Sequence, residues 1–299
     1  MITRREVILG AAACGAASLA TTRRTQAAAP SLLETLSDGH LVLPVAFLLP
    51  KATPDDLRAV GLELETNTGS LAPDCNVTLH RSDGRLVLFD AGSGSNFLPT
   101  AGKLPDSLAA AGIDLADVTD VVFTHAHPDH IWGVLDDFDE LLFPQARYHI
   151  SEAEWEYWIS EAALSDLPEE RHSFVAGARK RFAAIEERVV RFRSGDEVLP
   201  GIEAVSAAGH TPGHTAFVVH GEEAAMIVGD AISNDPVSFV RPDLHWGADQ
   251  DPDKGAATRG ALLDRLAGDR LRFVGFHLPA GGIGRVERSA NTYRFVAEA

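Results

Sequence analysis

Residues 124–133 read T-H-A-H-P-D-H-I-W-G, which sets His125, His127, Asp129 and His130 within six positions. A regular strand sends alternate side chains to opposite faces, whereas a loop can turn successive side chains toward one point. The cluster follows the apolar run Val121-Val122-Phe123 and leads into a helical pattern, so it reads as a strand-to-helix loop. Neutral imidazoles suit zinc, cobalt, iron and nickel, and the carboxylate suits the harder end of that range. The spacing gives His125 and His127 to one ion and Asp129 and His130 to a neighbouring ion, and each pair needs further donors. Three later stretches offer them. Gly209-His210-Thr211-Pro212-Gly213-His214, Val228-Gly229-Asp230 and Phe276-His277-Leu278-Pro279 each place a His or Asp at the carboxyl end of an apolar run. Among the 12 histidines, His80, His149, His172 and His220 read as ordinary residues outside any such cluster.

The elements that must position these groups are short. Strands are predicted over Leu41–Phe47, Asn76–His80, Leu86–Phe89, Val121–Thr124, Arg147–Ile150, Ile202–Ser206, Phe217–His220, Ala225–Val228 and Arg272–Phe276. Helical patterns cover Leu104–Ala111, Ile131–Asp137, Glu152–Glu161, Glu169–Glu187 and Asp253–Leu266. This mixture predicts one α/β domain of sheets covered by helices. Residues 152–187 hold no strand pattern and read as a helical insert. For its aromatics (Trp155, Tyr157, Trp158, Phe174, Phe182), core packing is the commoner fate of each taken singly. The insert as a whole, with Phe97 from the Gly92–Leu98 loop, is expected to wall the site with apolar surface. Trp132, directly after the cluster, is expected to pack in the core.

The 299 residues carry 26 basic and 43 acidic side chains, a formal charge of −17. Such a surface repels phosphate backbones and anionic lipid, which disfavours nucleic acid and membrane surfaces as partners and leaves a small-molecule substrate. A homodimer is left open. Arg4-Arg5 precede an uncharged apolar stretch from Val7 to Ala20, and Ala27-Ala28-Ala29 follows. That order predicts a cleaved export signal over 1–29, of the twin-arginine (Tat) type, and a periplasmic protein occupying 30–299. The apolar run is too short for a stable membrane anchor. Ala11-Ala12-Ala13 before Cys14 lacks the branched residue of a lipid-modified cysteine. Loss of residues 1–29 removes four arginines and one glutamate, taking the charge from −17 to −20, and leaves Cys75 as the single cysteine with no internal disulfide to form.

T-H-A-H-P-D-H, G-H-T-P-G-H, V-G-D and G-F-H, in that order and at these intervals, resemble the metallo-β-lactamase-fold hydrolases. The resemblance implies an αββα sandwich with the site at one edge between two sheets. It implies that His125, His127 and His210 hold one metal, that Asp129, His130 and His277 hold a second, and that Asp230 bridges the two. Zinc is the expected ion at both positions. His214 has no ligand role in that pattern and is expected to support the site by hydrogen bonding. Two ions sharing a water lower its pKa from about 15.7 to about 7, so a metal-bridging hydroxide would open an ester-like bond without a covalent intermediate. Asp129 would orient that nucleophile or carry a proton to the leaving group.

A bridging aspartate is usual in the glyoxalase II, lactonase and phosphotriesterase branches and unusual in true β-lactamases. Thr35–His40, Trp246–Pro252 and Gly275–Gly284 are further similar to the secreted methyl parathion hydrolase and lactonase-like branch, which implies lactones first and organophosphate triesters or aryl esters second. Two departures alter the pocket wall. Ser233 stands where lactonases often carry an oxyanion-donating Tyr, and Leu278-Pro279-Ala280-Gly281 replaces Pro-Phe-Pro-Gly. Alternatives kept beside this reading are β-lactam or thioester hydrolysis and an iron-dependent persulfide dioxygenase.

Overall fold

The computed structural model describes residues 32–62, 69–82, 84–290 and 292–298. The expected export signal and Cys14 lie outside the described residues. A six-stranded sheet takes its strands in chain order: β1 (Leu32–His40), β2 (Asp74–Ser82), β3 (Arg85–Phe89), β4 (Asp120–Val122), β5 (Arg147–Ser151) and β6 (Val189–Phe192). The β1–β2–β3 pairs are antiparallel and the remaining pairs parallel. Parallel neighbours need crossovers, and helices supply them. Helix α1 (Leu104–Ala110) lies between β3 and β4; α2 (Glu152–Ile159) and α3 (His172–Ile185) lie between β5 and β6.

A seven-stranded sheet follows: β7 (Glu197–Leu199), β8 (Ile202–Ser206), β9 (Thr215–Val219), β10 (Ala225–Gly229), β11 (Arg272–Gly275), β12 (Ile283–Ser289) and β13 (Thr292–Ala297). Its pairs are antiparallel except β10–β11, which α4 (Pro252–Asp269) connects. Asp251 caps α4 by accepting from the Lys254 N–H, Pro252 opens it, and Leu262, Leu263 and Leu266 bury one face.

Alternation along the strands explains the layering. In β3, Leu86 and Leu88 join the cluster under α1 and the insert, whereas Val87 and Phe89 face the second sheet. In β9, Phe217 and Val219 face back across, and Ala216 and Val218 join the cluster under α4. Phe89 meets Phe217 between the sheets with ring centroids 5.3 Å apart. Three apolar clusters therefore fill the three interfaces of an αββα sandwich, one domain with the predicted fold.

Several predicted boundaries are corrected. The strand expected over Leu41–Phe47 is only a two-residue pairing of Leu43–Pro44 with Ser70–Leu71, and a helical turn starts at Val45, because Pro44 cannot donate to a ladder. The helix expected over Ile131–Asp137 instead covers Pro128–Ile131, a 3-10 turn follows over Trp132–Val134, and Leu135 bridges to Leu141. The strands β1, β6, β7, β12 and β13 were not expected.

Candidate metal centre

The motifs sit where chain ends of both sheets meet. Thr124–His130 follows β4, His210 lies in the β8–β9 connection, and Asp230 and His277 follow β10 and β11, which are neighbours. The Thr215 N–H donates to the Thr124 carbonyl at 2.9 Å, tying the second sheet to the first beside the cluster. Asn76 on β2 clamps the His277 turn: its Nδ2 donates to the carbonyls of Phe276 (2.9 Å) and Leu278 (2.8 Å). The glycines of G-H-T-P-G-H are steric requirements. Gly209 has φ 139°, and a Cβ on Gly213 would come within 2.1 Å of the Glu154 nitrogen.

All seven expected donors converge, and all are buried. His125 Nε2 lies 3.1 Å from His127 Nδ1, which lies 2.9 Å from His210 Nε2. His277 Nε2 lies 3.2 Å from both Asp129 Oδ2 and Asp230 Oδ2, and His130 Nε2 lies 3.3 Å from Asp230 Oδ1. Asp230 Oδ2 is also 3.3 Å from His210 Nε2, so this carboxylate spans the two donor sets. Cys75 adds a sulfur near Asp129 and His277.

The opposite ring nitrogens fix which lone pairs point inward. His210 Nδ1 donates to Asp249 Oδ1 (2.9 Å), His130 Nδ1 to Asp90 Oδ2 (2.8 Å) and His277 Nδ1 to the Asp74 carbonyl (2.7 Å). The Thr124 hydroxyl gives its proton to Asp90 Oδ2, so its oxygen accepts from His125 Nδ1. Each of these rings therefore turns its Nε2 to the centre. Burial, then neighbouring imidazoles, keeps His125 and His127 well below the ordinary histidine pKa, so protons do not relieve their convergence. Burial opposes charge on His130 and His277 as well, but Asp230 and Asp129 override it and hold both well above the ordinary value. The carboxylates draw positive charge into a buried site where His130 Nε2 and Asp230 Oδ1 have no hydrogen-bond partner. Divalent cations satisfy that donor set, and the residues present fit two of them.

Supporting residues that the sequence reading missed surround the donors. Asp90 has φ 69°, a strained conformation for a non-glycine, and serves both Thr124 and His130. Asp249 Oδ2 is held by Arg259 at 2.8 Å. Glu154, fully buried on α2, accepts from the Ala126 N–H (2.9 Å), Trp158 Nε1 (2.7 Å), the Thr211 hydroxyl (2.7 Å) and the Gly213 N–H (3.0 Å). It thus joins the loop of His125 and His127 to the loop of His210; burial nonetheless holds its pKa above the ordinary range. A lone buried Glu inside a helical pattern gives no signal of this. His214 supports the site as expected: its Nε2 accepts from the Asp230 N–H at 3.0 Å, and burial holds its pKa at about 3.

A cleft of about 80 Å³ opens over the donors, walled by Leu41, Leu43, Phe47, Phe97, Phe174 and Trp246. The insert contributes Phe174 and Arg171, and Trp155 and Trp158 do not line the cleft. Trp155 stacks on Phe182 at 4.2 Å, and Trp158 is spent on Glu154. Trp132 packs as expected: its indole fills the space left by Gly177, lies 5.0 Å from the Arg181 guanidinium and backs Phe97 at 5.7 Å. Of the histidines set aside, His149 pairs with Asp120 and His220 with Glu203.

Comparison with known proteins gives the same picture. Residues 72–277 match the family model of the metallo-beta-lactamase superfamily. Proteins of Mycobacterium bovis and Mycobacterium tuberculosis, each described as "Probable metallo-hydrolase", are 28% identical over 217 residues, 64% of this chain and 68% of theirs. The solved structure of AidC, a dizinc quorum-quenching lactonase in complex with the product N-hexanoyl-L-homoserine, superposes with a TM-score of 0.82 at 28% identity, covering 90% of this chain and 95% of that one. The hydrolase AbOPH, of the beta lactamase superfamily, superposes with a TM-score of 0.81 at 25% identity, over 90% and 94% of the two chains. With its αββα layers, its converging donors and a matching family model across most of its length, the chain belongs to the metallo-β-lactamase superfamily of metallo-hydrolases.

Proposed function

We propose that the chain is a two-metal hydrolase of ester-like bonds, with lactones as its first substrate class and aryl esters or organophosphate triesters as secondary ones. The carrying observation is that Asp230 spans two complete donor sets at the floor of an apolar cleft. The likeness to a dizinc lactonase supports zinc as the ion and lactones as the class. His125, His127 and His210 would hold one ion, Asp129, His130 and His277 the other, with Asp230 between them. When bound, such ions supply Lewis acidity, lowering the pKa of a shared water and polarising the oxygen under attack.

The chain's own groups do the rest. Asp129 lines the cleft, and although burial opposes its charge, His130 and His277 hold its pKa far below the ordinary range. An ionised carboxylate there would orient the attacking water, accept the proton that the water gives up on attack, and hand it to the leaving alkoxide. The aromatic wall excludes bulk water and seats the acyl arm. Ser233 does not replace a tyrosine as oxyanion donor, because its hydroxyl proton is given to the Asp230 carbonyl at 2.6 Å. We place the chain in the methyl parathion hydrolase and lactonase-like branch, exported to the periplasm by the twin-arginine route.

A panel of a lactone, an aryl ester, a phosphotriester, a thioester and nitrocefin tests the assignment. The expected order has the lactone first and nitrocefin last. Preferred turnover of nitrocefin or the thioester refutes it.

A further inference from the structure

Apart from the metal donors, the cleft is lined by apolar and aromatic side chains with two exceptions, Ser233 and Arg171. The Ser233 proton is already spent on the Asp230 carbonyl. Arg171 is different. Its Nη2 donates to the Gly247 carbonyl at 2.8 Å, and the Phe47 ring lies 4.9 Å from the guanidinium carbon. Among the described residues no carboxylate forms an ion pair with it, so a half-buried cation lines the cleft without a paired counter-charge. A guanidinium carries five N–H groups in a planar fork, and one backbone carbonyl uses only part of them. With one edge pinned and one face covered by a ring, the remaining edge is pre-oriented for two parallel N–H···O bonds.

We infer that Arg171 determines specificity by taking an oxygen acceptor, an amide carbonyl or a carboxylate, on the arm of the substrate away from the cleaved bond. The inference rests on the hydrolase reading above and adds the polar feature that the apolar wall alone would not select. The substrate class is then a lactone or ester whose apolar arm is interrupted by such an oxygen. An all-alkyl arm would leave the buried cation unanswered, and a site built to donate rejects an analogue that cannot accept.

Three γ-butyrolactones of matched length test this: one with an α-hexanoylamino arm, one with an α-heptyl arm and one with an α-(6-carboxyhexyl) arm. The native chain is expected to favour at least one acceptor-bearing lactone over the heptyl lactone by about 10–100-fold in kcat/KM, carried by KM. In Arg171→Met that ratio falls toward one, and in Arg171→Lys, which keeps the charge but not the fork, it falls part of the way. The better of the amido and carboxy arms identifies which oxygen is read. A native chain that treats all three lactones alike, or an Arg171→Met variant that keeps the native ratio while losing thermal stability, overturns the inference and leaves Arg171 as a pin for the Trp246–Ala248 segment. Calorimetric binding of the three ring-opened acids to the metal-loaded native and variant chains gives the same ratio without turnover. Failure of all three lactones to be opened therefore refutes the proposed reaction, while the binding ratio still decides the role of Arg171.

Discussion

Glu154 offers the sharpest prediction, because one carboxylate holds four donors on two ligand loops. In Glu154→Gln one oxygen still accepts from Ala126 and Trp158, and the new amide faces the Thr211 hydroxyl and the Gly213 N–H. The hydroxyl can rotate and accept instead, but the Gly213 N–H cannot, so one buried donor is orphaned at a cost of about 1–3 kcal/mol. In Glu154→Ala both backbone donors, Ala126 and Gly213, lose their acceptor and the cost rises to about 2–6 kcal/mol. At roughly 2–4 °C per kcal/mol for a domain of this size, the Gln variant should melt several degrees lower and the Ala variant lower still. The decisive assay is metal binding. Ala126 lies between His125 and His127, and Thr211 and Gly213 follow His210, so the loss should fall on the three-histidine set. Outer partners of ligands are typically worth 10–100-fold in metal affinity, and a loss of that size at one of the two positions is expected from competition with a chromophoric chelator. Both ions binding with native affinity in a destabilised variant would refute the clamp and leave Glu154 a purely structural residue.

Two further predictions separate wall from core and test the acid limit of the fold. Phe174→Ala should lower kcat/KM on apolar-armed substrates about tenfold through KM with little change in Tm, whereas Trp158→Ala, which empties a fully buried site, should cost about 3–5 kcal/mol of stability; the opposite pattern would place Trp158 in the cleft. Asp120 is buried, which alone would raise its pKa, but His149, Thr119 and Arg85 hold it at about 2 against an ordinary 3.8. The ionised form is thus favoured in the folded chain, so its contribution of about 2 kcal/mol is present above pH 3.8 and is lost as pH falls through about 2. Asp120→Asn should therefore flatten the acid limb of a stability–pH curve, and an unchanged limb would contradict this.

The donors were legible because metal chemistry needs His and Asp crowded in one loop, and that crowding survives in one dimension. His210, Asp230 and His277 were legible because strand ends are marked by apolar runs that stop at a glycine. What holds the donors in place left weaker traces. Asp90 and Asp249 are single aspartates whose histidine partners are 40 and 39 residues away, and Glu154 joins residues 28 and 59 positions from it. The strands β12 and β13 escaped because only Gly284 and Val286 of the first and Phe295 of the second are buried, and Arg285, Glu287, Arg288 and Arg294 interrupt the apolar pattern. The insert was recognised as helical, but which of its aromatics meet the cleft depends on rotation about the helix axes. Trp155 and Trp158 turn to the core, whereas Phe174 turns to the donors.

The central claim is that Asp230 unites two metal positions, and counting metal in the native chain and in Asp230→Ala tests it most directly. Zinc-loaded native protein should carry two divalent ions per chain and open a lactone; the variant should lose metal and lactone turnover together. One iron per native chain, or a variant that keeps both ions and native turnover, would contradict the account.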